Sequence, residues 1–182
     1  VRNLSDHDID TIYLHVGPLK SDGRIDEETY GATLNFVEKV KRFKNEMYVY
    51  AWIGQLRGKI NLENPDIRKN ISNMGMIFTK MIGMDGIHLD IEPVWDGDVD
   101  FISLLAELRE VLDTGSGLGS EEKFLSVALA EFIPSSFIWW VENAVNFKNY
   151  NTEVNYLNVA QYADQIVDMV SDTGIDEGWL YP

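Results

Sequence analysis

Five short apolar runs recur along the chain at nearly constant spacing, and no other feature limits the possible folds as much. They are TIYLHV from Thr11, MYVYAWI from Met47, GIHLDI from Gly86, FLSVAL from Phe124 and ADQIVDMV from Ala163, with successive starts 36, 39, 38 and 39 residues apart. Between the first four lie stretches with apolar residues at helical spacing: Tyr30, Leu34, Val37 and Val40, then Ile67, Ile71, Met74, Ile77, Phe78 and Met81, then Phe101, Leu104, Leu105, Leu108, Val111 and Leu112. Pro65-Asp66 marks the start of the second stretch and Gly83 its end, while Asp98 and Asp100 stand where a helix N-terminus favours negative charge. Met74, Met76, Met81 and Met84 are expected in the core. The fourth interval is less regular, with an aromatic loop holding Phe137, Trp139 and Trp140 before a helix-like stretch around Val154 to Tyr162.

Strict alternation of strand and helix calls for parallel strands joined by right-handed crossovers, which leaves two α/β architectures, an open doubly wound sheet and a (β/α)8 TIM barrel. Eight units of about 38 residues would make a barrel of roughly 300 residues. The 182 residues here hold about five units, so on the barrel reading they form one incomplete barrel domain, residues 1–182, of a longer protein. The abrupt start at Val1 and the apolar end at Trp179-Leu180-Tyr181-Pro182 suit that reading. An open five-stranded sheet would need no further strands, and the chemistry of the strands has to decide.

Composition narrows the function. Fifteen Lys and Arg against thirty Asp and Glu give a net charge of −15, which repels nucleic-acid phosphates and anionic lipid surfaces. The absence of cysteine excludes a thiolate nucleophile, a disulfide framework and a Cys-based zinc site. No run reaches the roughly 18 apolar residues of a transmembrane helix. His7, His15 and His88 lie on different elements without metal-ligand spacing. Gly115-Ser116-Gly117-Leu118-Gly119 precedes a strand rather than opening a helix, so it reads as a connection rather than a phosphate loop. Ser135-Ser136 has no nearby histidine, and a nucleophile elbow is absent.

The most informative run is Asp85-Gly86-Ile87-His88-Leu89-Asp90-Ile91-Glu92-Pro93. Side chains alternate along a strand, so Ile87, Leu89 and Ile91 share one face and His88, Asp90 and Glu92 the other. A buried parallel strand normally reads as a continuous apolar run, and three polar groups on its inner face incur a desolvation cost unless paired or solvated. Pro93 ends the strand and leaves Glu92 at its carboxyl end, where active sites of both architectures lie. A carboxyl beside another carboxylate in a partly desolvated cleft has a raised pKa and suits general-acid work. Glu92 is the natural proton donor, Asp90 would bond Glu92 or a substrate amide, and His88 would share a proton with Asp90. Asp90 and Glu92 with Asp96 and Asp98 are also weighed as oxygen ligands of a divalent cation.

The same segment resembles the DGxDxDxE signature on the fourth strand of glycoside hydrolase family 18, the chitinase-like barrels. It is similar to divergent bacterial members in which LDIEP runs into a Gly-Asp loop, as Asp96-Gly97-Asp98 does here. The resemblance implies that Glu92 protonates the glycosidic oxygen. It implies equally that Asp90 orients the N-acetyl group, which attacks the anomeric carbon of a β-linked N-acetylglucosamine glycan with no cofactor. His88 stands where the family usually has Asp. Tyr48 to Gln55 is similar to the third strand, Phe124 to Ala130 to the fifth, so the chain reads as strands two to six. For the sixth, Tyr156 to Tyr162 and Asp164 to Gly174 both contain part of the MxYD pattern. The second keeps the spacing and supplies Met169 and Asp172, with Ser171 in place of the tyrosine.

His88, Trp52, Trp95, Met169 and Asp172 are therefore expected to bind substrate beside the catalytic pair Glu92 and Asp90. Trp139, Trp140 and Glu131 are weaker candidates. The resemblance also implies a secreted or cell-envelope location. The alternative from another class is a carbohydrate-binding barrel without turnover, kept open by His88 and Ser171.

Overall fold

The five runs form five strands in the computed structural model, which describes residues 7–114, 122–145 and 150–169. They are β1 (Thr11–Pro18), β2 (Tyr48–Leu56), β3 (Gly86–Glu92), β4 (Phe124–Ala130) and β5 (Gln165–Met169). All neighbouring pairs are parallel, and the strands lie side by side in chain order. The helices are α1 (Tyr30–Phe43), α2 (Pro65–Met76), α3 (Val99–Asp113) and α4 (Glu153–Val159). The second register considered for the last strand is the one that forms, and Tyr156 lies in α4.

Strand order decides between the two architectures. A doubly wound sheet reverses direction at a switch point, whereas a barrel adds each strand beside the last, as here. Curvature gives the same answer. Four inter-strand spacings would separate β1 from β5 by about 19 Å in a flat sheet, farther than a tyrosine and a glutamine can span. The Tyr13 hydroxyl nevertheless donates to Gln165 Oε1 at 2.7 Å, so the sheet is curled into a barrel arc.

The outer face of the arc is the core. Val49, Ala51 and Ile53 of β2, Ile87, Leu89 and Ile91 of β3, and Leu125, Val127 and Leu129 of β4 are fully buried. They belong to one cluster with Val37 and Val40 of α1, Ile71 of α2 and Leu104, Leu105 and Leu108 of α3. The helices begin as their sequences dictate. Asn64 accepts the Asp66 N–H at 2.9 Å with Pro65 in the first turn, and Asp98 accepts the Phe101 N–H at 3.0 Å.

Three core expectations change. Leu34 is exposed because the buried stripe of α1 runs through Thr33, Val37 and Val40. Met76, two residues past buried Met74, points to the opposite side of α2. Met81 is exposed at the end of a π-helical turn, Ile77–Met81, whose wider winding turns Phe78 and Thr79 inward instead.

Two aspartates stitch the units together. Asp85, just before β3, accepts the Val49 N–H of β2 at 2.7 Å and Lys41 Nζ of α1 at 2.8 Å. Asp164, just before β5, accepts the Leu125 N–H of β4 at 2.8 Å and Arg109 Nη1 of α3 at 3.0 Å. Gly86 follows the first stitch because β3 and β4 approach too closely there for any side chain. A Cβ at that position would lie 2.2 Å from the Phe124 carbonyl oxygen.

Candidate active site

The inner face of the arc carries Tyr13 and His15 from β1, Tyr50 and Trp52 from β2, His88, Asp90 and Glu92 from β3, Ser126 from β4 and Gln165 from β5. One register row crosses all five strands through His15, Trp52, His88, Ser126 and Gln165. Asp90 lies one inward step above this row, opposite Gly54, and Glu92 a further step up, opposite Leu56, at the carboxyl end. Both carboxylates are half-buried.

Asp90 is held on one side only. Its Oδ2 accepts the Trp52 indole N–H at 2.8 Å, while Oδ1 is buried with no hydrogen-bond partner among the described residues. The expected proton sharing between His88 and Asp90 gives way to a different arrangement. His88 Nδ1 lies 2.9 Å from Ser126 Oγ, Ser126 Oγ donates to Gln165 Oε1 at 3.0 Å, and Gln165 Oε1 also receives the Tyr13 hydroxyl. Since Ser126 spends its proton on Gln165, its oxygen accepts from His88. Nδ1 therefore bears the proton and Nε2 the lone pair.

Burial holds the His88 pKa below its ordinary value of 6.5, with the nearby Asp90 charge opposing in smaller measure. Between the lowered value and about 6.5 the unfolded chain binds a proton that the folded one refuses, so stability rises with pH through that window. His88→Gln should flatten this slope in urea midpoints measured from about pH 5 to 7.5, a range that brackets an unperturbed histidine. An unchanged slope would place the acid sensitivity elsewhere.

The loops above the carboxyl ends are tied down by their own acids. Arg57 Nη2 meets Asp98 Oδ2 at 2.7 Å in a nearly buried ion pair, and the guanidinium lies 5.0 Å over the Trp95 ring. A cavity of about 430 Å³ opens beside them, lined by Arg57, Lys59, Asn61 and Trp95 among others. Asp96 Oδ1 accepts both the N–H and the hydroxyl of Thr152, at 2.8 and 2.9 Å, and Asn151 Nδ2 donates to the Val94 carbonyl. The loop after β3 and the segment entering α4 are thereby joined. Asp96 and Asp98 thus have structural partners, and among the described residues no group of three His, Asp or Glu side chains could hold a metal.

Of the residues singled out in the sequence, Glu92, Asp90, His88 and Trp52 come together on the inner face. Trp95, exposed in the loop after β3, lines the cavity beside Arg57 instead. Met169 ends β5 opposite Ala130, while Asp172 and the 115–119 loop lie outside the described residues. Trp139 and Trp140 belong to an exposed helical turn, Ile138–Trp140. Sequence reasoning missed Tyr13, Ser126 and Gln165. The alternation of TIYLHV, with Tyr13 and His15 against Ile12, Leu14 and Val16, was the available signal for the first.

Sequential parallel strands, an inward ionisable row and carboxylates at the carboxyl end define a segment of a (β/α) barrel whose reactive groups face its mouth. Solved chitinases share this fold. A family GH18 chitinase from Cycas revoluta, in complex with allosamidin, superposes with a TM-score of 0.66 at 17% identity over 88% of this chain and 47% of that one. A mutant class V chitinase from Nicotiana tobaccum in complex with NAG4 gives 0.63, 19%, 88% and 45%, and a chitinase from Bacteroides thetaiotaomicron 0.60, 20%, 91% and 46%. The chain therefore has the fold of the family 18 chitinases and chitinase-like proteins, and spans about half the length of these structures. No protein-family model matches it. No curated protein sequence matches it either.

Proposed function

We propose that the protein to which this chain belongs is a retaining glycoside hydrolase that cleaves β-linked N-acetylglucosamine glycans, chitin-like or of cell walls, by substrate-assisted catalysis. Glu92 protonates the glycosidic oxygen as the bond to the anomeric carbon breaks. The substrate's own acetamido oxygen attacks that carbon from the other face, giving an oxazolinium intermediate, and Asp90 accepts the acetamido N–H and holds it in line. Glu92, now a carboxylate, then takes a proton from the water that opens the ring, so the anomeric configuration is retained. No cofactor enters the scheme, and a secreted or cell-envelope location goes with such substrates.

The observation that carries this reading is Asp90 Oδ1, a buried carboxylate oxygen with no partner among the described residues, beneath Glu92 on the inner face. Buried acceptors are nearly always satisfied, and a substrate amide would satisfy this one. The allosamidin and NAG4 bound to the two chitinases above support a ligand of the same class.

A carbohydrate-binding barrel without turnover is the second reading. The neutral His88, tied to Ser126, favours it, because no carboxyl then stands behind Asp90 to exchange protons with it. The test is release of reducing ends from N-acetylglucosamine oligomers by the full-length protein, with the product anomer followed by proton NMR. The β-anomer should appear first. The α-anomer first would overturn the mechanism, and oligomer binding without release would select the second reading.

A further inference from the structure

We propose that Trp52 is the positioning residue of this site: its indole N–H holds one oxygen of Asp90 and thereby turns the other toward the ligand. The role rests on the reading of Asp90 given above. It differs from the sugar-stacking role expected of Trp52 from its place near a strand end.

Three observations converge on it. The Trp52 Nε1 to Asp90 Oδ2 contact, at 2.8 Å, is the hydrogen bond that Asp90's side chain makes among the described residues, and Oδ1 is left buried without a partner. An indole N–H donates and never accepts, so the contact has one polarity and fixes which oxygen is engaged. The ring makes T-shaped contacts with His15, at 5.6 Å and 88°, and with His88, at 5.9 Å and 78°, its two register neighbours, while remaining partly exposed. A side chain braced on both sides within the sheet is suited to set a geometry.

The surroundings make this donor matter. The ionisable groups on the inner face are Tyr13 and His15 of β1, Tyr48 and Tyr50 of β2, and His88 and Glu92 of Asp90's own strand. β4 and β5 add Ser126, Gln165 and Met169, and the described strands place no lysine or arginine there. Trp52 steadies the Asp90 carboxylate without neutralising it, which leaves Oδ1 a strong acceptor for an amide.

Two substitutions separate positioning from stacking. Trp52→Phe keeps an aromatic face and loses the donor, whereas Trp52→Gln keeps a donor of similar reach and loses the face. In the full-length protein kcat and KM are measured on N-acetylglucosamine oligomers. Trp52→Phe should lower kcat about tenfold or more with KM changed less than about threefold, the loss expected when a buried carboxylate forfeits a hydrogen bond. Trp52→Gln should recover part of the lost kcat. The proposal is overturned if kcat in Trp52→Phe matches that of the parent. It is overturned equally if Phe sustains the activity and Gln abolishes it. A parent that binds oligomers without cleaving them would instead remove Glu92's assigned role, and affinity then replaces kcat: binding weakened by Phe and kept by Gln supports Trp52 as positioning residue, and the reverse order rejects it.

Discussion

Glu92→Gln should leave the fold and oligosaccharide binding intact while hydrolysis of unactivated N-acetylglucosamine oligomers falls by about a thousandfold, within the range of a lost general acid. The amide matches the carboxyl in shape and cannot deliver the proton that the leaving oxygen needs. The effect should depend on the leaving group. With an aryl glycoside, whose phenolate departs without protonation, much of the first step should return, and slow turnover should then reflect the missing base in the second. Steady-state rates on both substrates, with a urea midpoint as a check on folding, make the comparison. A variant whose first step, read as the burst of released phenol, is as impaired on the aryl glycoside as on the oligomers would mean that Glu92 acts otherwise than as the acid.

The largest effect on stability should come from Gly86→Ala. The added methyl would sit 2.2 Å from the Phe124 carbonyl oxygen and 2.8 Å from its Cβ, and backbone on a paired strand cannot step aside alone. β3 and β4 would have to separate at the point where Phe124 N–H bonds the Asp85 carbonyl, at a cost on the order of 4 kcal/mol. Gly83→Ala is the control. Its φ of +86° strains any side chain but nothing lies within 4 Å, so it should cost about 1 kcal/mol. Urea unfolding of the two variants reads the difference, and equal midpoints would show that the strands yield more easily than their pairing implies.

Much of this arc was legible before any coordinates. The strand starts recur because each β-α unit must cross one barrel wall and return, and the buried faces of β2, β3 and β4 stand in the sequence as alternating Val, Ile and Leu. The inward set His88, Asp90 and Glu92 followed from alternation alone. What alternation cannot supply is register between strands. Trp52 meets Asp90, and His88 meets Ser126, through pairings 38 residues apart in sequence, and no local pattern records which neighbour stands opposite which. The bridge from Tyr13 to Gln165 spans 152 residues and depends on curvature, which no single strand encodes. Met81 failed for a smaller reason, since one π-helical turn displaces a stripe that periodicity treats as continuous.

The paired stitches at Asp85 and Asp164 bear on how such a chain can be reshuffled in evolution. Each clasps a helix, the strand after it and the strand after that, α1 with β2 and β3 in one case and α3 with β4 and β5 in the other. The same clasp thus recurs after two β-α units rather than one. A duplication or exchange that carried two units would preserve a cation, an aspartate and the amide between them as an inherited set. One that carried a single unit would deliver a carboxylate to a strand whose partner cation had stayed behind.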